Sequence, residues 1–235
     1  MTPLAPASVK RVTPLLVLAG LVLALAACGG NGESSSAGEG NTTTTATTTQ
    51  QATSGSCTIV TPHAASRTMK DEHLKLDQDK TYRLVFQTNC GDFTVTLDQK
   101  TSPNATGSLV SLAQRGFFDD TFFHRIVPEF VIQGGDPTGT GTGGPGYSTH
   151  DKVPQNASYK HGVVAMAKSG AEPPGTAGSQ FFVVTGDDAG LPPDYAVVGK
   201  VTSGLDVVDV IGGFGDATEQ PTRSIVISKV KVETS

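Results

Sequence analysis

The sequence predicts a mainly β domain, an antiparallel barrel carrying two helices. Three observations support this. About eight short apolar runs recur across residues 82–232, several of them alternating apolar with polar residues, and turn-forming Gly, Pro, Asn and Asp lie between them. Two segments, residues 103–115 and 204–211, carry helical spacing. The chain has 28 Gly, no Trp and 37% apolar residues, which suits a small core linked by many turns and diluted by a polar tail.

Taken in order, residues 82–87 form the first strand, Asn89-Cys90-Gly91-Asp92 a turn, and residues 93–97 a half-buried antiparallel strand. Ser102 suits a helix N-cap and Pro103 the first helical position. That helix presents Leu109, Leu112 and Ala113 on its apolar face and stops at Gly116. Next comes the stretch around which the chain is organised, Phe122-Phe123-His124-Arg125-Ile126-Val127-Pro128-Glu129-Phe130-Val131-Ile132-Gln133-Gly134-Gly135-Asp136. It reads as two short strands with a Pro-Glu break, and a cation in so apolar a run is costly unless it is used. Residues 138–147 contain Gly139-Thr140-Gly141-Thr142-Gly143-Gly144, the letters of a dinucleotide loop. Pro145-Gly146 follows at once and forbids the helix such a loop must open, so this is a surface loop. Residues 163–167 are a strand, and a loop with Pro173-Pro174 leads to Gly178-Ser179-Gln180-Phe181-Phe182 and a strand over 180–185. Residues 191–195 turn, 196–201 form a strand, the second helix ends at Gly212-Gly213, and residues 225–232 close the chain. Two apolar strands with inward polar donors suggest a groove that grips an apolar group bearing a carbonyl.

Ahead of the domain lie three further segments. Residues 1–28 read as a signal peptide, with Lys10 and Arg11 before an apolar run that ends in Leu25-Ala26-Ala27-Cys28. Those four residues resemble a bacterial lipobox, which implies that Cys28 is lipid-modified and becomes the N-terminus; the plainer reading is a secretory signal with Cys28 incidental. Residues 29–56 are a Gly/Ser/Thr tract that cannot bury enough surface to fold, hence a disordered tether. Residues 57–79 read as an irregular extension packed on the domain at 80–235. Loss of residues 1–28 leaves 15 basic against 22 acidic residues, a formal charge of −7, and no basic-aromatic pattern, so nucleic acid is not an expected partner. In an exported protein the remaining pair, Cys57 and Cys90, favours a disulfide over two free thiols. No metal site is expected, because His63 and His73 do not fall at ligand spacing from either cysteine.

The Phe-His-Arg-Ile-Val-Pro…Phe-Val-Ile-Gln-Gly-Gly-Asp run and Gly-Ser-Gln-Phe-Phe together resemble the two signatures of the cyclophilins, peptidyl-prolyl cis-trans isomerases, over roughly residues 80–233. The resemblance implies a closed eight-stranded barrel capped by a helix at each end, with the groove on the outside of the barrel. It implies rotation about X-Pro bonds without nucleophile, metal or cofactor. By this resemblance Arg125 matches the catalytic arginine, and Gln133 the amide that fixes Arg125 and the substrate carbonyl. Phe130, Val131, Phe182 and Leu191 match the proline pocket, Ala167, Lys168 and Gln180 the peptide-binding ridge, and Tyr195 a position where many members carry histidine. Partners would be proline-containing exported polypeptides, met by a monomer lipid-anchored to the outer side of a bacterial membrane.

Duller readings stand beside these. Alternation turns Phe181 and Phe182 to opposite faces, so one of them is core. His124 reads as a buried structural histidine, Asp136 as a loop-ordering residue, and Arg125 could serve a structural ion pair. The alternative function is a binding module that holds proline peptides without turnover. This chain also departs from the family pattern. Val131 stands for the usual methionine, Lys168 for a common asparagine, and Gly190 for the tryptophan many members use to bind cyclosporin, while the loop from Met166 to Gln180 is longer by three residues.

Overall fold

The computed structural model describes residues 57–235 apart from His73, so the signal, Cys28 and the tether lie outside the described residues. In chain order the elements are β1 (Tyr82–Thr88), β2 (Gly91–Leu97), α1 (Pro103–Gln114), β3 (Thr121–Phe122), β4 (Arg125–Val127), β5 (Val131–Gly134), β6 (Thr149–His150), β7 (Val163–Met166), β8 (Thr176–Ala177), β9 (Phe181–Val184), β10 (Val197–Ser203), α2 (Leu205–Gly212) and β11 (Val226–Thr234). Nine strands form one curled antiparallel sheet in the order β3-β11-β1-β2-β10-β7-β9-β5-β4, and β6 pairs with β8 apart from it.

The count of nine, against the eight expected, has a local cause. The Phe123 N–H donates to Ile225 O at 3.0 Å, beside β11, whereas the His124 N–H donates to Gln133 O at 3.1 Å, on β5. One continuous segment thus changes partner at its midpoint and becomes two edge strands, and no ladder joins β3 to β4. Among the described residues no helix is long and apolar enough to cross a membrane.

Alternation sorts the side chains into two clusters. Inside the curl, Phe86 and Phe93 stack at 4.7 Å, and Phe181 meets Phe86, Phe118 and Phe123. On the opposite face Phe182 packs with Val131, Tyr159, Ala165 and Val184 in a separate cluster. Phe181 is therefore core and Phe182 is not part of that core, as period-two geometry requires.

The start of α1 differs from expectation. Ser102 occupies the N-cap but its side chain makes no capping bond. Instead the buried Asp151 carboxylate accepts the N–H groups of Asn104 at 3.1 Å and Ala105 at 2.7 Å. A full negative charge aimed at the helix N-terminus satisfies two orphan donors and meets the positive end of the helix dipole.

Polar residues of α1, including Thr106, Ser108 and Ser111, are buried along with the apolar ones. Ser108 bonds the Tyr147 hydroxyl at 3.0 Å, and the extension covers another part of the helix. The Leu74 N–H donates to Gly107 O at 3.2 Å, and a Cβ on Gly107 would collide with the Leu74 carbonyl. Arg67 reaches Phe117 O at 2.6 Å, and Leu76 enters the main core. A disulfide joins Cys57 to Cys90, so the extension is tied to the turn between β1 and β2.

Candidate active site

Strand pairing sets the site. Arg125 on β4 lies opposite Gln133 on β5, Gln133 opposite Phe182 on β9, and Phe182 opposite Ala165 on β7. Residues aligned across a sheet share one face, so Arg125, Gln133 and Phe182 converge on the outer surface although β9 lies far along the chain from β4.

Nine of the ten residues assigned to catalysis and substrate binding line one cavity of about 300 Å³: Arg125, Phe130, Val131, Gln133, Ala167, Lys168, Phe182, Leu191 and Tyr195. The tenth, Gln180, lines an adjoining cavity of about 740 Å³ that shares Gln133, Ala167 and Lys168 with the first. Val131 and Phe182 are buried and floor the smaller cavity, while Phe130, Leu191 and Tyr195 are half-buried at its rim. An apolar floor with a few convergent polar groups is the usual form of a small-ligand site.

A hydrogen-bonded row crosses the two cavities. Arg125 Nε donates to Glu219 Oε2 at 2.7 Å, and its Nη1 leans on Gln133 Oε1 at 3.4 Å. Gln133 Nε2 donates to Gln180 Oε1 at 3.0 Å, and Gln180 Nε2 donates to Gly143 O at 2.9 Å. The Arg125 guanidinium stands 6.0 Å from the centre of the Phe130 ring. Its side chain is 32% exposed, so the charge meets both solvent and the apolar pocket.

The Gly-rich loop holds the far end of this row. The Asp136 carboxylate accepts the Thr138 hydroxyl and the N–H groups of Thr138, Gly141 and Gly143. Burial alone would raise its pKa, but these bonds outweigh burial and hold the carboxyl below its ordinary range. Gly143 is required here, because a Cβ would strike the Asp136 carboxylate. Asp136 thus orders its loop. The loop is also braced from outside, where the N–H groups of Ala65 and Met69 in the extension donate to Pro137 O and Pro145 O, both at 2.8 Å.

His124 is buried and neither ring nitrogen has a hydrogen-bond partner among the described residues. Burial pushes its pKa down, Asp136 partly offsets this, and Arg125 adds to it. The histidine is neutral packing beside the site, pointing toward the loop at Gly141.

Lys168 brings a second cation to the site. Its Nζ donates to Glu172 O at 3.1 Å and stands 5.4 Å from the centre of the Tyr195 ring, between the two cavities. Two contributors escaped the sequence reading. Tyr159, 1% exposed, donates its hydroxyl to Tyr195 O at 2.8 Å and accepts the Tyr195 N–H at 2.9 Å, which fixes the rim of the pocket. Glu219 comes from the polar turn between α2 and β11. Neither lies in an apolar run or a motif, so only its place in space reveals it. Among the described residues no cluster of His, Cys, Asp and Glu could hold a metal ion.

Comparison with known proteins gives the same frame. The cyclophilin type peptidyl-prolyl cis-trans isomerase/CLD family profile matches residues 83–232. A peptidyl-prolyl cis-trans isomerase of Arabidopsis thaliana is 36% identical over 156 residues, covering 63% of this chain and 92% of its own. One of Helicobacter pylori is 40% identical over 146 residues, covering 61% and 85%. The crystal structure of a cyclophilin type peptidyl-prolyl cis-trans isomerase of Cryptosporidium parvum is similar with a TM-score of 0.61 at 31% identity, covering 65% of this chain and 98% of that one. With the curled sheet, its two helices and the arginine-bearing outer groove, these matches place the chain in the cyclophilin family of peptidyl-prolyl cis-trans isomerases.

Proposed function

We propose that the smaller cavity holds the proline ring of an X-Pro segment and that Arg125 lowers the barrier to its rotation. The observation that carries this is the Arg125 guanidinium, turned toward the Phe130 ring at the edge of an apolar cavity floored by Val131 and Phe182. Uncatalysed rotation meets a barrier of about 18–20 kcal/mol, because the amide has partial double-bond character. As the bond twists, the prolyl nitrogen becomes pyramidal and its lone pair can accept an N–H from the guanidinium. Gln133 holds Arg125 and the substrate carbonyl, while Phe130, Leu191 and Tyr195 hold the ring. A charge-assisted bond is worth about 1.5–3 kcal/mol, so the rest of the acceleration comes from binding the twisted amide better than either planar form. The adjoining cavity, with Gln180 and Lys168, takes the residues before the proline. A solved relative from Cryptosporidium parvum, with a TM-score of 0.59 and 30% identity, was obtained in the presence of the dipeptide Ala-Pro, which agrees with this use of the groove. A protease-coupled assay on a proline tetrapeptide tests the reading. Turnover that survives loss of Arg125 would rule it out.

The cellular setting is a second part of the proposal. The protein acts on exported polypeptides from a lipid anchor at Cys28, outside the cytoplasm of a bacterium. Its support is the Leu25-Ala26-Ala27-Cys28 sequence followed by a Gly/Ser/Thr tract, together with the Cys57–Cys90 disulfide, which belongs in an oxidising compartment. One acyl chain binds membranes only marginally, so firm anchoring needs more than one chain on Cys28. Cys28→Ser releases the domain into the soluble fraction or stalls its processing; tight membrane binding with normal cleavage refutes the anchor. The domain works as a monomer, because edge strands of two and three residues offer little ladder to a second copy.

A further inference from the structure

We propose that Glu219 is a positioning residue for Arg125, clamping the guanidinium by its Nε so that the outer nitrogens face the prolyl amide. The inference rests on the reading of Arg125 as the catalytic cation. An arginine side chain has several free rotors, and from the neighbouring strand β5 Arg125 receives one weak hydrogen-bond restraint, the 3.4 Å contact to Gln133. The 2.7 Å bond to Glu219 is charge-assisted and far more directional. It occupies Nε, which no substrate needs. Nη1 then leans toward Gln133, and Nη2 makes no protein hydrogen bond among the described residues.

The turn that delivers Glu219 is built for this. The Ile126 N–H donates to Glu219 O at 3.1 Å, so the backbone of Glu219 is pinned to β4 one residue beyond Arg125. Asp216 Oδ1 accepts the Thr218 N–H, the Thr218 hydroxyl and the Gln220 N–H, which brackets Glu219 on both sides. Glu219 holds φ at +65°, a left-handed conformation that glycine adopts more easily, so the position carries a glutamate against backbone preference. The bond from Arg125, reinforced by its charge, draws the carboxyl pKa below its ordinary value, so the clamp holds to more acid pH than a free glutamate would.

A carboxylate beside a catalytic cation also weakens that cation's field. Here the carboxylate is half exposed, and water screens its charge. Orientation is not screened, and it decides whether Nη2 meets the prolyl nitrogen at all. The net effect is therefore acceleration.

The test is a kinetic cycle with kcat and KM measured separately for wild type, Glu219→Gln, Glu219→Gly, Arg125→Ala and Arg125→Ala with Glu219→Gly. Glycine suits the positive φ, and thermal unfolding checks that the turn stays folded. Glu219→Gly is expected to lower kcat by about five- to tenfold with KM unchanged. Glu219→Gln still offers an acceptor, so it should recover activity to within about threefold of wild type. In the Arg125→Ala background Glu219→Gly should have no further effect, because Glu219 acts through Arg125. The Arg125 Nε–H signal in proton–nitrogen NMR should lose its protection from solvent exchange in Glu219→Gly. An unchanged or raised kcat in Glu219→Gly, or an equal loss with and without Arg125, overturns the proposal. An active Arg125→Ala overturns the reading of Arg125 itself, and this inference with it.

Discussion

Replacing Arg125 with alanine removes the cation from the groove and almost nothing from the core. The side chain is 32% exposed and its contacts are to Glu219, Gln133 and the face of Phe130. Once it is gone, the half-exposed Glu219 carboxylate turns to water, and Gln133 keeps its bond to Gln180. No cavity opens inside the curl, so the stability cost should stay near the roughly 1 kcal/mol of an ordinary point mutation. The catalytic cost is larger. One charge-assisted bond that strengthens only as the amide twists, plus the orientation it imposes, amounts to about 2–4 kcal/mol, or some thirty- to a thousandfold in kcat/KM. Peptide affinity should change less, because Phe130, Phe182 and Leu191 still hold the ring. Phe182→Ala makes the contrast. Phe182 is 4% exposed and packs edge-on against Tyr195 at 5.6 Å, so its truncation should cost about 3–5 kcal/mol in stability and weaken peptide binding along with rate. The assays are protease-coupled isomerisation, peptide titration and thermal unfolding on both variants. Near-normal activity in Arg125→Ala, or outright unfolding, refutes its role as a groove catalyst.

Other expectations are independent of that one. Reducing the Cys57–Cys90 bond, which closes a loop of 33 residues in sequence separation, should cost about 3–4 kcal/mol, on the order of 10 °C in melting temperature; two freely alkylated thiols in the protein as isolated would contradict it. Asp151→Ala leaves two helix N–H groups unpaired and should cost about 2–3 kcal/mol in denaturant unfolding, whereas Ser102→Ala should stay within about 0.5 kcal/mol. His124 stays neutral in the fold with its pKa below the ordinary 6.5, so unfolding takes up a proton below that pH. Its share of stability is thus present above about pH 6.5 and lost as pH falls toward the lowered folded value; His124→Phe should flatten this part of the stability–pH curve. Cyclosporin should bind weakly, because Gly190, at φ +61°, faces open space and offers neither wall nor indole donor; nanomolar inhibition of the isomerase would show that another residue takes that part.

Much of this protein was legible in the chain. Strict alternation in residues 93–97 showed a strand with one buried face, and the apolar run 122–136 showed two short strands around a break, because side-chain period is a local property of a strand. The same logic separated Phe181 from Phe182, and the two signatures carry Arg125, Phe130, Val131, Gln133, Gln180 and Phe182, which line two adjoining cavities. Tertiary structure decided what local pattern cannot encode, namely the choice among chemically equal partners. Ser102 is a good cap by sequence, yet Asp151, 46 residues away from Ala105, takes its place because the packed fold brings a full charge there. The Gly-rich loop looks like filler until its Gly143 carbonyl is seen holding Gln180. Glu219 reaches Arg125 across 94 residues from an ordinary polar turn. Burial and period are written within a few residues of sequence, whereas a hydrogen bond between distant side chains depends on geometry to within an ångström, and only the assembled sheet supplies that.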